Sequence, residues 1–152
     1  MITSNNLARK SPLETIEQQR LIVWADHNFF NIGQGPELIG AYLAAIPNGG
    51  SRRKQTKNFS FEAMRMKREG VRAGFPDLQL TVPIGDYHGL FIEMKRRDGV
   101  PSDIKPAQKE WHQKLLKKGY AVAVAFGFDA AKLAVCDYLK GKNIQSIYRN
   151  VR

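Results

Sequence analysis

The chain has a single cysteine, Cys136, so it carries no internal disulfide and no thiolate metal cluster, and that residue reads as a small buried hydrophobe in a helix. Histidine is nearly as scarce. His27, His88 and His112 are scattered, with no His-x-x-x-His or His-Cys spacing, which argues against a zinc site. No apolar run approaches the roughly 20 residues of a transmembrane helix, and the N-terminus lacks a signal-type apolar core, so a soluble, intracellular chain is expected. Neither a P-loop nor a Gly-x-Gly-x-x-Gly run is present, which argues against nucleotide-driven chemistry. Acid is also short: 14 Asp and Glu face 24 Lys and Arg, a formal charge of +10 and a pI near 9.9. That excess favours a polyanionic partner, nucleic acid first, over a membrane surface.

What the chain does have is enough apolar content, 43% of 152 residues, for one domain with a proper core. The expectation is a single domain over residues 11–152 preceded by a loose polar arm, residues 1–10. Two apolar segments carry acids and a lysine: Gly74-Phe75-Pro76-Asp77-Leu78-Gln79-Leu80 and Gly89-Leu90-Phe91-Ile92-Glu93-Met94-Lys95. In a strand alternate residues share a face, so Glu93 and Lys95 project together, roughly 6 to 7 Å apart, away from Leu90, Ile92 and Met94. Asp77, Gln79 and Thr81 likewise oppose Leu78, Leu80 and Val82. If the segments pair, Asp77 and Glu93 converge on one cation. Mg²⁺ is often held by one or two carboxylates plus water and substrate phosphate, so two acids on one sheet face suffice. Taken singly, a Glu and a Lys at alternate positions are ordinary on a solvated sheet face, and Asp after Pro is an ordinary turn residue. Their combination in this order points to metal-dependent phosphodiester chemistry.

Around these strands, Ser11-Pro12-Leu13-Glu14 predicts a helix start with Ser11 as cap, Pro12 at the first position and Glu14 closing a capping box. Leu13, Leu21 and Trp24 fall on one face of that helix. Glu17 interrupts the apolar stripe, reading either as a third site carboxylate or as a rim residue paired to Arg20. Residues 31–40 read as a loop, Ala41 to Ile46 as a short strand, and Pro47 to Gly50 as a turn. The most basic stretch follows, with Arg52, Arg53, Lys54, Lys57, Arg65, Lys67, Arg68 and Arg72. Its second half, Ser60 to Glu69, is predicted helical with Phe61, Met64 and Arg68 along one side and Gly70 as its stop. Leading straight into Pro76-Asp77, this run reads as a phosphate-contacting rim, joined by Arg96, Arg97 and Lys105. Ser102 or Asp103 is expected to cap a helix to Lys118, with Trp111 and Leu115 inward and Gln108 within reach of the sheet. Tyr120 to Phe126 reads as a central strand covered on both faces. A last helix capped by Asp129 runs to Leu139, with Ala130, Leu133 and Cys136 inward.

In this order, an acid-bearing first helix, Ile46-Pro47-Asn48-Gly49-Gly50, Gly74-Phe75-Pro76-Asp77-Leu78, Ile92-Glu93-Met94-Lys95, Gln108 with Trp111, and Gly119-Tyr120 entering a strand resemble the virus-type replication-repair nuclease (VRR-NUC) domain. That domain is a branch of the PD-(D/E)xK superfamily, and the resemblance runs from about Leu13 to Leu139. It implies an α/β fold with a restriction-endonuclease-like core, a central mixed sheet flanked by helices. It implies Glu17, Asp77 and Glu93 as metal carboxylates for Mg²⁺ or Mn²⁺, with the Met94 carbonyl as a further ligand. Lys95 is then the catalytic lysine and Gln108 an auxiliary site residue. Stand-alone members from phages and bacteria are similar to homodimeric resolvases of four-way DNA, which implies branched DNA as substrate in the cytoplasm of a bacterial or phage-infected cell. The alternatives are a flap-, end- or restriction-type nuclease, or a DNA-binding module that has kept the fold without chemistry.

Overall fold

The computed structural model describes residues 11–47 and 57–149. Five strands form one mixed sheet: β3 (Leu43–Ala45), β4 (Leu78–Leu80), β5 (Leu90–Lys95), β6 (Ala121–Phe126) and β7 (Ile147–Arg149), in that spatial order. The pairs β3/β4 and β4/β5 are antiparallel, whereas β5/β6 and β6/β7 are parallel. The parallel pairs need crossovers, supplied by α3 (Pro106–Lys117) and α4 (Phe128–Leu139). Helix α1 (Glu14–Ala25) packs on α4 and β5. A separate hairpin pairs β1 (Phe29–Asn31) with β2 (Pro36–Leu38), so the stretch 31–40, expected as a loop, holds the end of β1, the turn and all of β2.

The alternation in β6 explains how both sheet faces are covered. Ala121, Ala123 and Ala125 join Leu78, Leu80, Leu90, Ile92 and Met94 against Leu21, Ala25, Ala130, Ala131, Ala134 and Val135. Alanine on both sides lets α4 approach the sheet closely. On the opposite face Phe91 and Val122 meet Leu115 of α3, while Val124 and Phe126 meet Ile104. The polar residues of β5, Glu93 and Lys95, alternate with Ile92 and Met94 and so lie on this α3 face. The core face is costly to disturb: truncating a fully buried Ile such as Ile92 to Ala costs about 2–5 kcal/mol.

Several local expectations are corrected. Ser11 caps no helix: α1 begins at Glu14 with Leu13 in the cap position and no side-chain cap bond. Ser11 Oγ instead donates to Asp98 Oδ1 at 2.5 Å, and its carbonyl accepts from Arg96, so a distant turn has recruited the residue. Leu13 is exposed, and the buried stripe of α1 is Glu17, Leu21 and Ala25. The apolar segment from Ala41 to Ile46 is a strand only over Leu43–Ala45, after a 3-10 turn at Ile39–Ala41. Helix α2 spans Lys57–Arg68, starting about a turn before the expected Ser60 and ending one residue short of Glu69. Ser102 and Asp103 belong to a 3-10 turn of their own, and Lys105 occupies the cap position of α3. Gly127, rather than Asp129, precedes α4; Leu133 is exposed and Cys136 half-buried, because the inward face is Ala130, Ala131, Ala134, Val135 and Tyr138.

Candidate active site

The loop that delivers Asp77 is held from both sides. Gly74 has φ 81°, and a Cβ there would lie 2.6 Å from the Ala107 carbonyl carbon, so only glycine lets the loop rest on the start of α3. Phe75 packs edge-on against Phe91 and Trp111, and Trp111 Nε1 donates to the Ala73 carbonyl at 3.1 Å. Pairing between β4 and β5 ends at Leu78↔Ile92, which sets Asp77 next across from Glu93 on the α3 side. There Asp77 Oδ2 accepts the Met94 amide N–H at 2.7 Å. A carboxylate therefore continues the ladder where backbone pairing stops.

On the same face Glu93 and Lys95 are almost fully buried, 2% and 4% exposed. Charged groups tolerate such burial only when paired and hydrogen-bonded. Lys95 Nζ lies 3.4 Å from Glu93 Oε1 and donates to Gln108 Oε1 at 3.2 Å. Gln108 Nε2 donates to Glu93 Oε1 at 2.6 Å, and Gln108 Oε1 also accepts the Lys105 amide at 2.8 Å. One glutamine side chain thus caps α3 and locks both charged residues of β5. Glu93 Oε2 is buried without a hydrogen-bond partner. The donors assembled here, two carboxylates and the backbone around Met94, are hard oxygens of the kind Mg²⁺ and Mn²⁺ take, and the orphaned Glu93 oxygen fits such an ion.

Of the other expected site residues, Glu17 is fully buried on the α1/α4 side of the sheet. Its Oε2 accepts the Phe128 amide at 2.8 Å and lies 3.5 Å from Arg20, while Oε1 lies 3.7 Å from Arg97. The structure therefore ties Glu17 to the first turn of α4. Among the described residues no group of three or more His, Cys, Asp and Glu closes into a metal cage. Arg96 is engaged by Asp98 and Ser11, and the Ser11 hydroxyl together with Arg96 holds the Asp98 carboxyl below its usual range. Arg97 bridges Glu17 and Asp129. Arg72 and Lys105 are exposed, Lys57 opens α2, and Arg52, Arg53 and Lys54 lie outside the described residues. The residue passed over was His112. It is buried, with Nε2 3.9 Å from Glu93 Oε2. Its signal in the sequence was its place one helical turn after Gln108, on the sheet-facing stripe with Leu115.

An acid at the head of one strand, an acid and a lysine on the next, and helices on both faces of a mixed sheet define a restriction-endonuclease-like nuclease core. The VRR-NUC domain model matches residues 41–129. A solved structure described as a VRR-NUC domain protein is 29% identical, aligning over 93% of this chain and 99% of that one with a TM-score of 0.68. Comparison with curated proteins returned no match. The chain belongs to the VRR-NUC family, nucleases of the PD-(D/E)xK superfamily that act on DNA. Members of that superfamily generally use divalent metals. No helix among the described residues is long and apolar enough to cross a membrane.

Proposed function

We propose that this chain is a Mg²⁺- or Mn²⁺-dependent endonuclease for branched DNA, working as a homodimeric resolvase of four-way junctions. The observation that carries the chemistry is the buried Glu93–Lys95–Gln108 cluster facing Asp77 across the β4/β5 pair. In this reading Asp77, Glu93 and the Met94 carbonyl hold the cation. When bound it supplies Lewis-acid chemistry, lowering the pKa of water and offsetting charge on the phosphate. Water adds at phosphorus in line with the departing sugar oxygen, and the Lys95 ammonium stabilises the anionic centre or orients that water. Gln108 holds Lys95 and Glu93 in register. Glu17 acts at one remove, by fixing Arg97 and the start of α4 beyond the ends of β5 and β6.

Phosphate contacts are assigned to Arg52, Arg53, Lys54, Lys57, Arg72 and Lys105, with Arg96 and Arg97 as inner members already braced by acids. The homodimer is assigned to α1 and the β1/β2 hairpin, whose outer surfaces expose Leu13, Ile16, Val23, Phe29 and Ile32. Beside them Ile16, Gln19, Arg20, Val23, Trp24 and Phe128 line a shallow, largely apolar hollow of about 490 Å³. The deciding experiment incubates the protein with four-way, flap and linear duplex DNA, with Mg²⁺ and with EDTA. Paired cuts in the four-way substrate are expected, abolished by EDTA, by Asp77→Asn and by Glu93→Gln, with junction binding retained by both variants. Preference for flaps or ends replaces the substrate assignment, whereas undiminished cleavage in EDTA overturns the metal reading.

A further inference from the structure

Glu93 has two oxygens with different fates. Oε1 is committed, to Gln108 Nε2 at 2.6 Å and Lys95 Nζ at 3.4 Å. Oε2 is buried without a hydrogen-bond partner, and so is His112 Nε2; the two atoms lie 3.9 Å apart. That separation is too long for a direct hydrogen bond. It falls within the span of two donors on one ion, because metal–nitrogen and metal–oxygen bonds of about 2.0–2.2 Å each sum to roughly 4 Å. Glu93 would hold a cation through its uncommitted oxygen, Oε2, the one beside the unpartnered imidazole nitrogen.

The imidazole is also held in place. His112 is one turn after Gln108 on α3, and that helix is pinned by Trp111 Nε1 on the Ala73 carbonyl and by Leu115 in the core. We infer that His112 Nε2 is a protein ligand of the active-site cation, and that the site is thereby built for a first-row transition ion such as Mn²⁺ over Mg²⁺. This rests on the reading that Glu93 holds a cation. Mg²⁺ takes oxygen ligands and keeps its water, whereas an imidazole nitrogen suits Fe²⁺, Ni²⁺, Cu²⁺ and Zn²⁺ best, and Mn²⁺, at the weak end of that series, still takes it more readily than Mg²⁺ does.

The test titrates Mn²⁺ into the full chain without DNA and reads bound Mn²⁺ by pulsed electron paramagnetic resonance for nitrogen coupling. An imidazole ¹⁴N coupling is expected in the wild type and in a His27→Gln/His88→Gln variant, and lost in His112→Gln. These are the only three histidines in the chain, so the first two spectra decide the matter even if His112→Gln fails to fold. A folded His112→Gln should lose on the order of ten-fold or more in Mn²⁺ affinity while its Mg²⁺ affinity stays nearly constant. Bound Mn²⁺ without nitrogen coupling, or coupling that survives His112→Gln, overturns the inference and leaves Glu93 as a metal ligand. Mn²⁺ binding unaffected by Glu93→Gln, or no binding by the wild type, overturns the metal reading and this inference with it.

Discussion

At the scale of single residues, Gln108 is the most connected polar side chain of the site, and its two jobs are separable. A glutamate there still accepts the Lys105 amide and keeps the cap, but it sets a second carboxylate where Nε2 now lies 2.6 Å from Glu93 Oε1. Gln108→Glu should therefore depress single-turnover cleavage more than Gln108→Ala does, and the reverse order would remove Gln108 from the charge balance. Lys95→Ala is expected to lose on the order of 10² to 10³ in rate with DNA binding unchanged; equal losses in rate and affinity would make it a binding residue instead. Away from the site, Tyr138 donates to the Val82 carbonyl at 2.6 Å, and burial pushes its phenol up to about 12. Because the folded-state value is raised, its contribution is complete below the unfolded pKa of about 10 and is lost as pH climbs from there toward 12. Tyr138→Phe leaves the carbonyl unpaired and should cost about 1–3 kcal/mol in urea unfolding at pH 8, with a flatter decline in stability above pH 10 than the wild type.

At the scale of elements, the loop before β4 and the start of α3 are in mutual contact at a point where no side chain fits. Gly74→Ala puts a Cβ 2.6 Å from backbone at Ala107, in a left-handed conformation, and that conformation alone costs about 1–3 kcal/mol. A melting temperature lower by several degrees is expected, at roughly 2–4 °C per kcal/mol. Cleavage should fall further than stability does, since Asp77 moves with the loop; a variant unchanged in both would mean the loop does not set the site. Helix α2 is the opposite case. From Phe61 to Arg68 all its side chains but Met66 are exposed, with Phe61 79% exposed and Arg65, Lys67 and Arg68 in the last turn. It reads as a substrate-facing element, not a core one. Replacing Arg65 and Arg68 with Glu should weaken binding to all duplex sequences alike and flatten the salt dependence by about 0.9 for each phosphate no longer neutralised. An unchanged slope would move the phosphate rim elsewhere.

At the scale of the whole molecule, the net charge of +10 and the apolar outer face of α1 have separate uses in the proposed enzyme. In that proposal the charge draws in DNA and the apolar face pairs two copies. Two opposed cuts in a four-way junction need two sites related by a two-fold axis. Sedimentation at micromolar concentration should give a species of twice the 17.2 kDa chain mass, and Val23→Arg, at an exposed position of α1, should shift it toward monomer without unfolding it. A monomer that still makes paired cuts would remove the dimer from the mechanism.

What the sequence determined by itself is whatever a period of two or 3.6 writes into neighbouring residues. Alternation along Leu90 to Lys95 put Glu93 and Lys95 on one face, the order Gly74 to Asp77 placed an acid at the head of a strand, and the Ala-Val run of β6 marked a strand covered on both sides. Gln108 and Trp111 declared themselves by their place on α3. Contacts between residues far apart in the chain leave no such local trace. Ser11 follows the rules of a helix cap, yet the turn at Asp98 takes its hydroxyl. Glu17 interrupts an apolar stripe with no sign that its partner is the Phe128 amide, 111 residues away. The spacing of His112 from Gln108 and Leu115 marks the face of α3 it shares, but not its partner: it meets Glu93 only because α3 folds back across β5. Polar satisfaction of this kind is settled when the layers close, since a buried oxygen or nitrogen takes whichever partner the packing brings within reach.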